Sequence, residues 1–405
     1  MLRYLKTLRF ICFFCFSYVG MPLFHYAFGI ESYQPVATLL NNDSNKLEYF
    51  GDIVLLSDER VALFYGKRIK VLNPSGPDGK PYMITLGQGV QEKPIQEKPI
   101  LSLAPLTGQR LASGLSDGTV KVWDLSTPHK EQCIATLKAH DELVVAVMQL
   151  HDGRLLSASA DGIIKVWDLS RPDHQQCVAT LEHEACIAAV RQLPDDRLVS
   201  LSTDGVLKVW NVNDLDEQPC LATLTDNIED KLRSYLVSPT HGRVVTCFSK
   251  RAANVWDLNK LDQETPVATL IVSADESLET LIGLDDGRLV SCAGDGIKVW
   301  NLHKPDLTQY ETLLDEQTGR VESVVQLSDG RLASCSIHGV IKLWDLNNPY
   351  GERWVGTMEH NCDTGGSLLA LPNNRLVFFS YDGVVVVWDL KKPVYQKLFD
   401  RCILF

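Results

Sequence analysis

QCIATLKAHDELVVAVMQLHDGRLLSASADGIIKVWDL, residues 132–169, spells out one complete structural unit. QCIATL (132–137) is short, apolar and β-prone, as a strand should be. The polar loop KAHDE (138–142) follows. LVVAVMQL (143–150) is near-continuously apolar, the pattern of a strand buried on both faces. HDGR (151–154) supplies an Asp-Gly turn, where glycine accepts the positive φ that a tight hairpin demands. LLSASA (155–160) is a third strand. Asp161-Gly162 is a second turn, and IIKVWDL (163–169) is a fourth strand. Strands of this length with turn chemistry between them predict an all-β chain. No helical periodicity runs through residues 31–405.

The unit is copied. Trp123, Trp167, Trp210, Trp256, Trp300, Trp344 and Trp388 stand 44, 43, 46, 44, 44 and 44 residues apart, each followed by Asp or Asn and an aliphatic. A second marker is an arginine that opens the strand after a turn: Arg60, Arg110, Arg154, Arg197, Arg243, Arg288, Arg331 and Arg375. That marker counts eight. Its first copy aligns RIKVLN (68–73) with TVKVWDL (119–125), which puts Leu72 in the tryptophan slot. A third marker, a segment ending in Thr-Leu or a close variant, occurs nine times, from PVATL (35–39) to YQKL (395–398). Fixed self-similarity at 40–45 residues points to one supersecondary unit repeated around a ring or along an array.

On these residues the chain resembles the WD-repeat family of β-propellers, over roughly residues 33–400. The resemblance implies blades of four antiparallel strands around a central channel. Eight arginine-bearing units predict eight blades; the alternative is seven blades plus a degenerate N-terminal unit. Nine Thr-Leu segments for eight blades leave one spare. A terminal strand, 35–40 or 394–399, should therefore complete the last blade and remove the exposed edges of an open sheet. The domain division expected is a hydrophobic leader, 1–30, and a propeller, 31–405.

The chain has 405 residues and a net charge of −12. Its first 29 residues hold Arg3, Lys6 and Arg9 and no acid, so the remainder balances 36 basic against 51 acidic residues. That excess of acid excludes nucleic acid as an expected partner, since a phosphate backbone needs clustered Lys and Arg. Eleven cysteines suggest disulfides at first. Cys133, Cys177 and Cys220 recur in one register, however, and Cys247, Cys292 and Cys335 in another. Register-equivalent cysteines lie a blade apart, beyond the ~7 Å that pairing allows, so most are expected to be small core residues. No Cys/His cluster has zinc spacing, and no cofactor or metal is expected.

Apparent catalytic motifs dissolve in the repeat. GLSDG (114–118) fits a nucleophile elbow, but that motif needs a strand-to-helix turn. The same slot reads ASADG, LSTDG, CAGDG and CSIHG elsewhere, so Ser116 belongs to a hairpin. The resemblance further implies that His140, His183 and His360 bond an Asp, a strand Ser and the indole: Asp161 with Trp167, Asp204 with Trp210, Asp382 with Trp388. The candidate serines are Ser157 or Ser159, Ser200 or Ser202, and Ser380. A Ser-His-Asp set repeated three times is a structural network rather than a catalytic triad. The eight arginines are expected to meet the Asp or Asn after each Trp, as Arg110 would meet Asp124 across its hairpin.

Function is expected where the rhythm breaks. Lys250-Arg251-Ala252 replaces an Asp-Gly hairpin, His338 replaces an Asp, and Tyr381 precedes another. The loops before the buried strands are acidic: Asp141 and Glu142, Glu182 and Glu184, Glu229 and Asp230, Asp275 and Glu276, Asp315 and Glu316. A docking face for a basic peptide or protein segment is therefore expected, built by Asp141, Glu142, Glu184, Lys250, Arg251, Asp315, Glu316 and Tyr381. The repeated EKPIQ of QEKPIQEKPI (91–100) is expected only to lengthen an exposed loop. Residues 1–30, basic and then apolar, read as a secretory signal with Ala27 and Gly29 before the cut, as an uncleaved anchor, or as leader to a true start at Met21. The expected function is a non-catalytic protein-interaction scaffold, monomeric or a subunit of a larger complex. The alternatives are a membrane-tethered assembly subunit and an exported enzyme with its site at the channel mouth. The leader makes the expected location exported or membrane-associated, with cytoplasmic as the alternative.

Overall fold

The computed structural model describes residues 31–33, 37–40, 50–65, 67–74, 82–86 and most of 98–391. Its breaks fall at 127–132, 173–175, 215–218, 227–234, 241, 248–250, 263–264, 273–277, 295, 305–306, 314–319, 349–353, 359–364 and 382–383. The described residues form 33 strands, numbered β1–β33 in chain order, and no helix. Blade 1 is β3–β6 (50–85), blade 2 β7–β10 (100–138), blade 3 β11–β14 (144–182) and blade 4 β15–β18 (187–225). Blade 5 is β19–β22 (235–271), blade 6 β23–β26 (280–313) and blade 7 β27–β30 (321–358). Blade 8 joins β31–β33 (366–389) to β2 (Ala37–Leu40), which pairs antiparallel from Ala37↔Val387 to Leu40↔Val384. The first strands of successive blades touch in cyclic order, and β3 touches β31. The ring is an eight-bladed β-propeller closed by the N-terminal of the two expected strands. The other, 394–399, lies outside the described residues.

Tryptophan fills the seams. Trp123 packs into a cluster with Ala62, Phe64, Ile69 and Val71 of blade 1. Trp167 packs on Val120 and Val122 of blade 2, and Trp388 on blade 7. Burying an indole removes ~150–250 Å² of mostly apolar surface, a gain of about 4–6 kcal/mol at ~25 cal/mol/Å². At the closing seam the slot holds Leu72, which packs on Val377, Phe379, Val385 and Val387 of blade 8. Four successive blade-8 residues, Val384–Val387, replace a sequence that elsewhere includes lysine. The smaller Leu72 is thus met by an unusually apolar neighbour.

The outer strands show where the cysteine expectation fails. Cys247, Cys292 and Cys335 are buried, as expected, and burial pushes the Cys335 thiol up to about 12. Cys133, Cys177 and Cys220 are exposed. The reason is a bulge in each outer strand opposite the Trp: pairing shifts between Cys133 and Ala135, and likewise beside Trp167↔Cys177 and Trp210↔Cys220. A bulge turns two successive side chains away from the sheet and blunts the edge strand. Ile134, next to Cys133, is accordingly 55% exposed. The edge of blade 7 is covered differently: β1 (Glu31–Tyr33) pairs parallel to β30 (Trp354–Met358) as a fifth strand.

Candidate docking face and the blade network

The entries of blades 3, 4 and 5 are each held by a buried polar chain, complete in blade 3. The Trp167 indole N–H donates to Ser157 Oγ at 2.9 Å. His140 Nε2 lies 2.8 Å from that oxygen, and Nδ1 lies 3.1 Å from Asp161 Oδ2. A neutral ring opposite a carboxylate carries its proton on Nδ1, so Ser157 O–H donates to Nε2. Burial holds the His140 pKa below its ordinary value despite Asp161, keeping the ring neutral. Of the two candidate serines, Ser157 is the partner. Ser159 donates instead to the Glu142 carbonyl at 3.2 Å. The His140 backbone N–H reaches back to Gly118 O of blade 2, so one residue ties two blades.

Blade 4 repeats this with one link open. Trp210 donates to Ser200 at 2.7 Å, and His183 Nε2 lies 2.6 Å from the same oxygen. Asp204, expected on His183, accepts from Ser202 Oγ at 2.5 Å, and the buried His183 Nδ1 has no hydrogen-bond partner. Burial and then Lys208 bring the His183 pKa down to about 4. In blade 5 the histidine slot holds Asp226, whose N–H bonds Gly205 O as His183 bonds Gly162 O. Asp226 accepts from Thr246 Oγ1 at 2.8 Å and from Asn254 Nδ2 at 2.6 Å, and Trp256 donates to Thr246 at 2.8 Å. Burial pushes the Asp226 carboxyl above its ordinary value. This substitution escaped sequence reading because Asp226 lies in an acidic loop that looks solvated. In blade 8, His360 and Asp382 lie outside the described residues. Ser380 occupies the hairpin register of Ser202, bonding Val384, and Phe378 stands where Ser200 stands in blade 4.

The described residues contain no group of three His, Cys, Asp or Glu side chains able to hold a metal. A family model described as "WD domain, G-beta repeat" matches residues 96–124, 131–168 and 175–211, three successive copies of the unit. The crystal structure of the WD40 β-propeller domain of Doa1 superposes with a TM-score of 0.52 at 19% identity, covering 89% of this chain and 98% of that one. The chain is a WD-repeat β-propeller. The crystal structure of a computationally designed protein, Ika8, gives a TM-score of 0.65 at 21% identity, covering 89% of this chain and all of that one. Both likenesses are of fold alone. A comparison with curated protein sequences finds no match.

Arg110, Arg154, Arg197, Arg243 and Arg288 make no hydrogen bond or ion pair with the Asp or Asn after the Trp of their blade, although the Arg110 charge still acts on Asp124. Those Asp and Asn residues cap their own turn: Asp124, Asp168, Asn211, Asp257, Asn301, Asp345 and Asp389 each accept the backbone N–H two residues on. Such Asx turns are shorter-range than any cross-hairpin contact and win the oxygen. Backbone register still sets Arg110 opposite Asp124, but the guanidinium groups reach elsewhere. Arg60, Arg154, Arg197, Arg288 and Arg331 pair with the Asp two residues before them. Four of these five, Arg60, Arg154, Arg197 and Arg288, also staple blades. Arg60 donates to Leu125 O of blade 2 at 3.1 Å, Arg154 to Val212 O of blade 4 at 2.6 Å, and Arg197 to Leu258 O of blade 5 at 2.7 Å. Arg243 bonds Leu302 O of blade 6, Arg288 bonds Asn347 of blade 7, and Arg375 pairs with Glu59 across the closing seam.

The opposite face carries the expected docking residues. Backbone bonds from His140 to Gly118 and from His183 to Gly162 join the loops before the inner strands to the Asp-Gly hairpins, so both lie on one face. A Cβ at Gly118 would fall 2.0 Å from His140 O, and its φ is +83°; glycine is required there by both contact and conformation. Asp141, Glu142, Glu182 and Glu184 are exposed on two successive entry loops, and none makes an ion pair. Arg251 is exposed in blade 5, and Tyr381 is 46% exposed in blade 8. Arg320, entering blade 7, pairs with the buried Glu279 carboxylate at 2.7 Å. Lys250, Asp315 and Glu316 lie outside the described residues, as do residues 1–30.

Proposed function

We propose that this propeller is a non-catalytic docking scaffold whose entry-loop face takes a basic segment of a partner protein. WD-repeat propellers generally bind protein partners, and the chemistry that could suggest an enzyme is already engaged in blade structure. His140, Ser157 and Asp161 hold one another and Trp167 rather than facing a cleft. The observation that carries the reading is the group Asp141, Glu142, Glu182 and Glu184: four exposed carboxylates on adjacent entry loops with no internal cation. Arg251 and Arg320 lie on blades 5 and 7 of the same face, giving it an acidic sector and a basic one. A partner with one cationic stretch would be oriented by that contrast, with electrostatics setting encounter rate and register more than affinity.

The test is affinity purification with mass spectrometry on the full chain and on the triple variant Asp141→Lys, Glu142→Lys, Glu184→Lys. Loss of a salt-sensitive set of partners is expected. An unchanged set overturns the reading. A tethered form of the same scaffold is motivated by residues 1–30, basic and then apolar. Fractionating the full chain beside residues 31–405 separates the two: a tether predicts that only the full chain sediments with membranes.

A further inference from the structure

Arg110 is the exception in the arginine ring. Every blade-stapling arginine described above reaches a carboxylate or a backbone or side-chain oxygen of the next blade. Arg110 has neither. Gly108 stands where Arg60, Arg154 and Arg197 have their Asp, and Gly108 and Gln109 both take positive φ, +75° and +56°. This tighter turn leaves Arg110 Nε donating to Thr107 O at 3.0 Å. Neither terminal nitrogen of Arg110 has a hydrogen-bond or ion-pair partner. The oxygen that the pattern of Arg60, Arg154 and Arg197 would assign it, Leu169 O of blade 3, likewise accepts no hydrogen bond.

Between them lies a cavity of about 370 Å³ at the seam of blades 2 and 3, lined by Arg110, Leu106, Leu155, Leu169 and Asp168 among others. The other charged groups at this seam are already engaged. Asp152 pairs with Arg154 at 2.6 Å, Asp168 accepts from Ser170 at 2.6 Å and from Arg171 at 3.0 Å, and Asp124 caps Ser126 at 2.8 Å. Gln149 is held by Thr107 and Gly153. The cavity thus offers the two free terminal NH2 groups of Arg110, one free carbonyl and an apolar edge at Leu169, with Leu106 and Leu155 buried behind it.

We infer that this seam is a second binding site, which takes the free C-terminal carboxylate of a peptide whose last residue is apolar. The carboxylate accepts from Arg110, in the charge-assisted geometry that guanidinium groups favour. The N–H of the same residue donates to Leu169 O, and its apolar side chain lies against Leu169, the partly exposed leucine of the lining. An isolated carboxylate would leave Leu169 O unmet, whereas a terminal residue carries both the acceptor and the donor. The site opens on the arginine face, at the end of the blade away from the acidic entry loops, so it stands independently of the docking proposed above.

The probe is the tetrapeptide acetyl-Ala-Ala-Ala-Leu with a free carboxylate, beside its C-terminal amide and acetyl-Ala-Glu-Ala-Leu-amide, which carries only an internal carboxylate. Amide chemical shifts of the full chain are followed on titration. Saturable shifts around residues 106–110 and 168–170 are expected with the free acid alone. Arg110→Ala should weaken binding about tenfold or more, the scale of one charged hydrogen bond, with Arg110→Lys between. Lys260→Ala, on the distant blade 5, should leave it unchanged. Equal binding of acid and amide overturns the proposal, as does binding that survives Arg110→Ala. Binding of the internal-glutamate peptide as tight as that of the free acid overturns the assignment to a chain terminus.

Discussion

Blades 4 and 5 fill one slot with side chains of opposite ionic type. His183 and Asp226 enter their blades identically, each giving its N–H to the glycine carbonyl of the hairpin before it. Each meets a hydroxyl that holds the indole, Ser200 under Trp210 and Thr246 under Trp256. In blade 4 the lysine beside the slot, Lys208, bonds the Glu182 carbonyl at 2.9 Å. In blade 5 that position is Asn254, which bonds Asp226 itself. The network therefore requires a polar side chain that partners the hydroxyl, not a histidine. The neighbouring residue is chosen to suit the occupant: a cation beside a neutral ring, an amide beside a carboxyl.

The comparison breaks first at the tryptophans. If the slots are equivalent, Trp210→Ala and Trp256→Ala each cost about 3–5 kcal/mol in urea denaturation. A cost under ~1 kcal/mol in either would mean that the seams are built differently. Next come the hydroxyls. Ser200→Ala strands the indole N–H and the His183 ring, and Thr246→Val strands the indole N–H and one of the two Asp226 oxygens. Each should cost about 1–3 kcal/mol, the desolvation of an unpaired buried group.

The pH response sharpens the contrast. The folded His183 pKa, about 4, lies below the ordinary 6.5. Its contribution is fully present above 6.5 and is lost as pH falls toward 4, because the unfolded chain binds the proton first. Asp226 has the opposite sign. Its carboxyl is raised above 3.8 by burial, against the pull of Thr246 and Asn254. Its contribution is present below 3.8 and is lost as pH rises through the raised value. Subtracting the stability curve of His183→Gln from that of the natural chain should leave a term that falls on acidification. The same subtraction with Asp226→Asn should leave one that rises. Curves of the same slope would refute the assignment.

The smallest expected effect compares two arginines. Arg197→Ala removes a bond to blade 5 and should cost about 1 kcal/mol after allowance for its partial exposure. Arg110→Ala removes no staple and should cost less than ~0.5 kcal/mol. Equal losses would show that Arg110 bridges its seam in solution.

The four strands of a blade, the blade count and the tryptophan spacing were legible in the sequence, because a repeat prints its period directly. Leu72 could be placed in the eighth tryptophan slot by alignment alone, and the closing strand narrowed to two candidates. What crosses between copies was not legible. The reach of Arg197 into blade 5 is a distance between units, and one-dimensional spacing carries no such distance. The expected Arg–Asp contact failed because the Asp oxygen is taken locally by the N–H two residues on. Ser157 and Ser159 differ by a single pleat, so composition could not choose between them. The exposed cysteines were misread because a bulge reverses which side chains face out. Of the docking face, the acidic loops were visible as text. That Asp226 is buried among them depends on Thr246 and Asn254, 20 and 28 residues away.

The closing seam sets a clock on synthesis. Ala37 emerges from the ribosome 350 residues before its partner Val387. At ~5–20 residues per second that is a wait of about 20–70 s. Throughout it blade 8 is incomplete, and the strand that will finish it lacks its partner β33. Seven blades can stack as they appear, the first six each sealed by the tryptophan of the next. The ring itself becomes a single cooperative object only when nearly the whole chain has been made. A truncation that stops before Val384 would leave not a smaller ring but an open arc with two sticky ends.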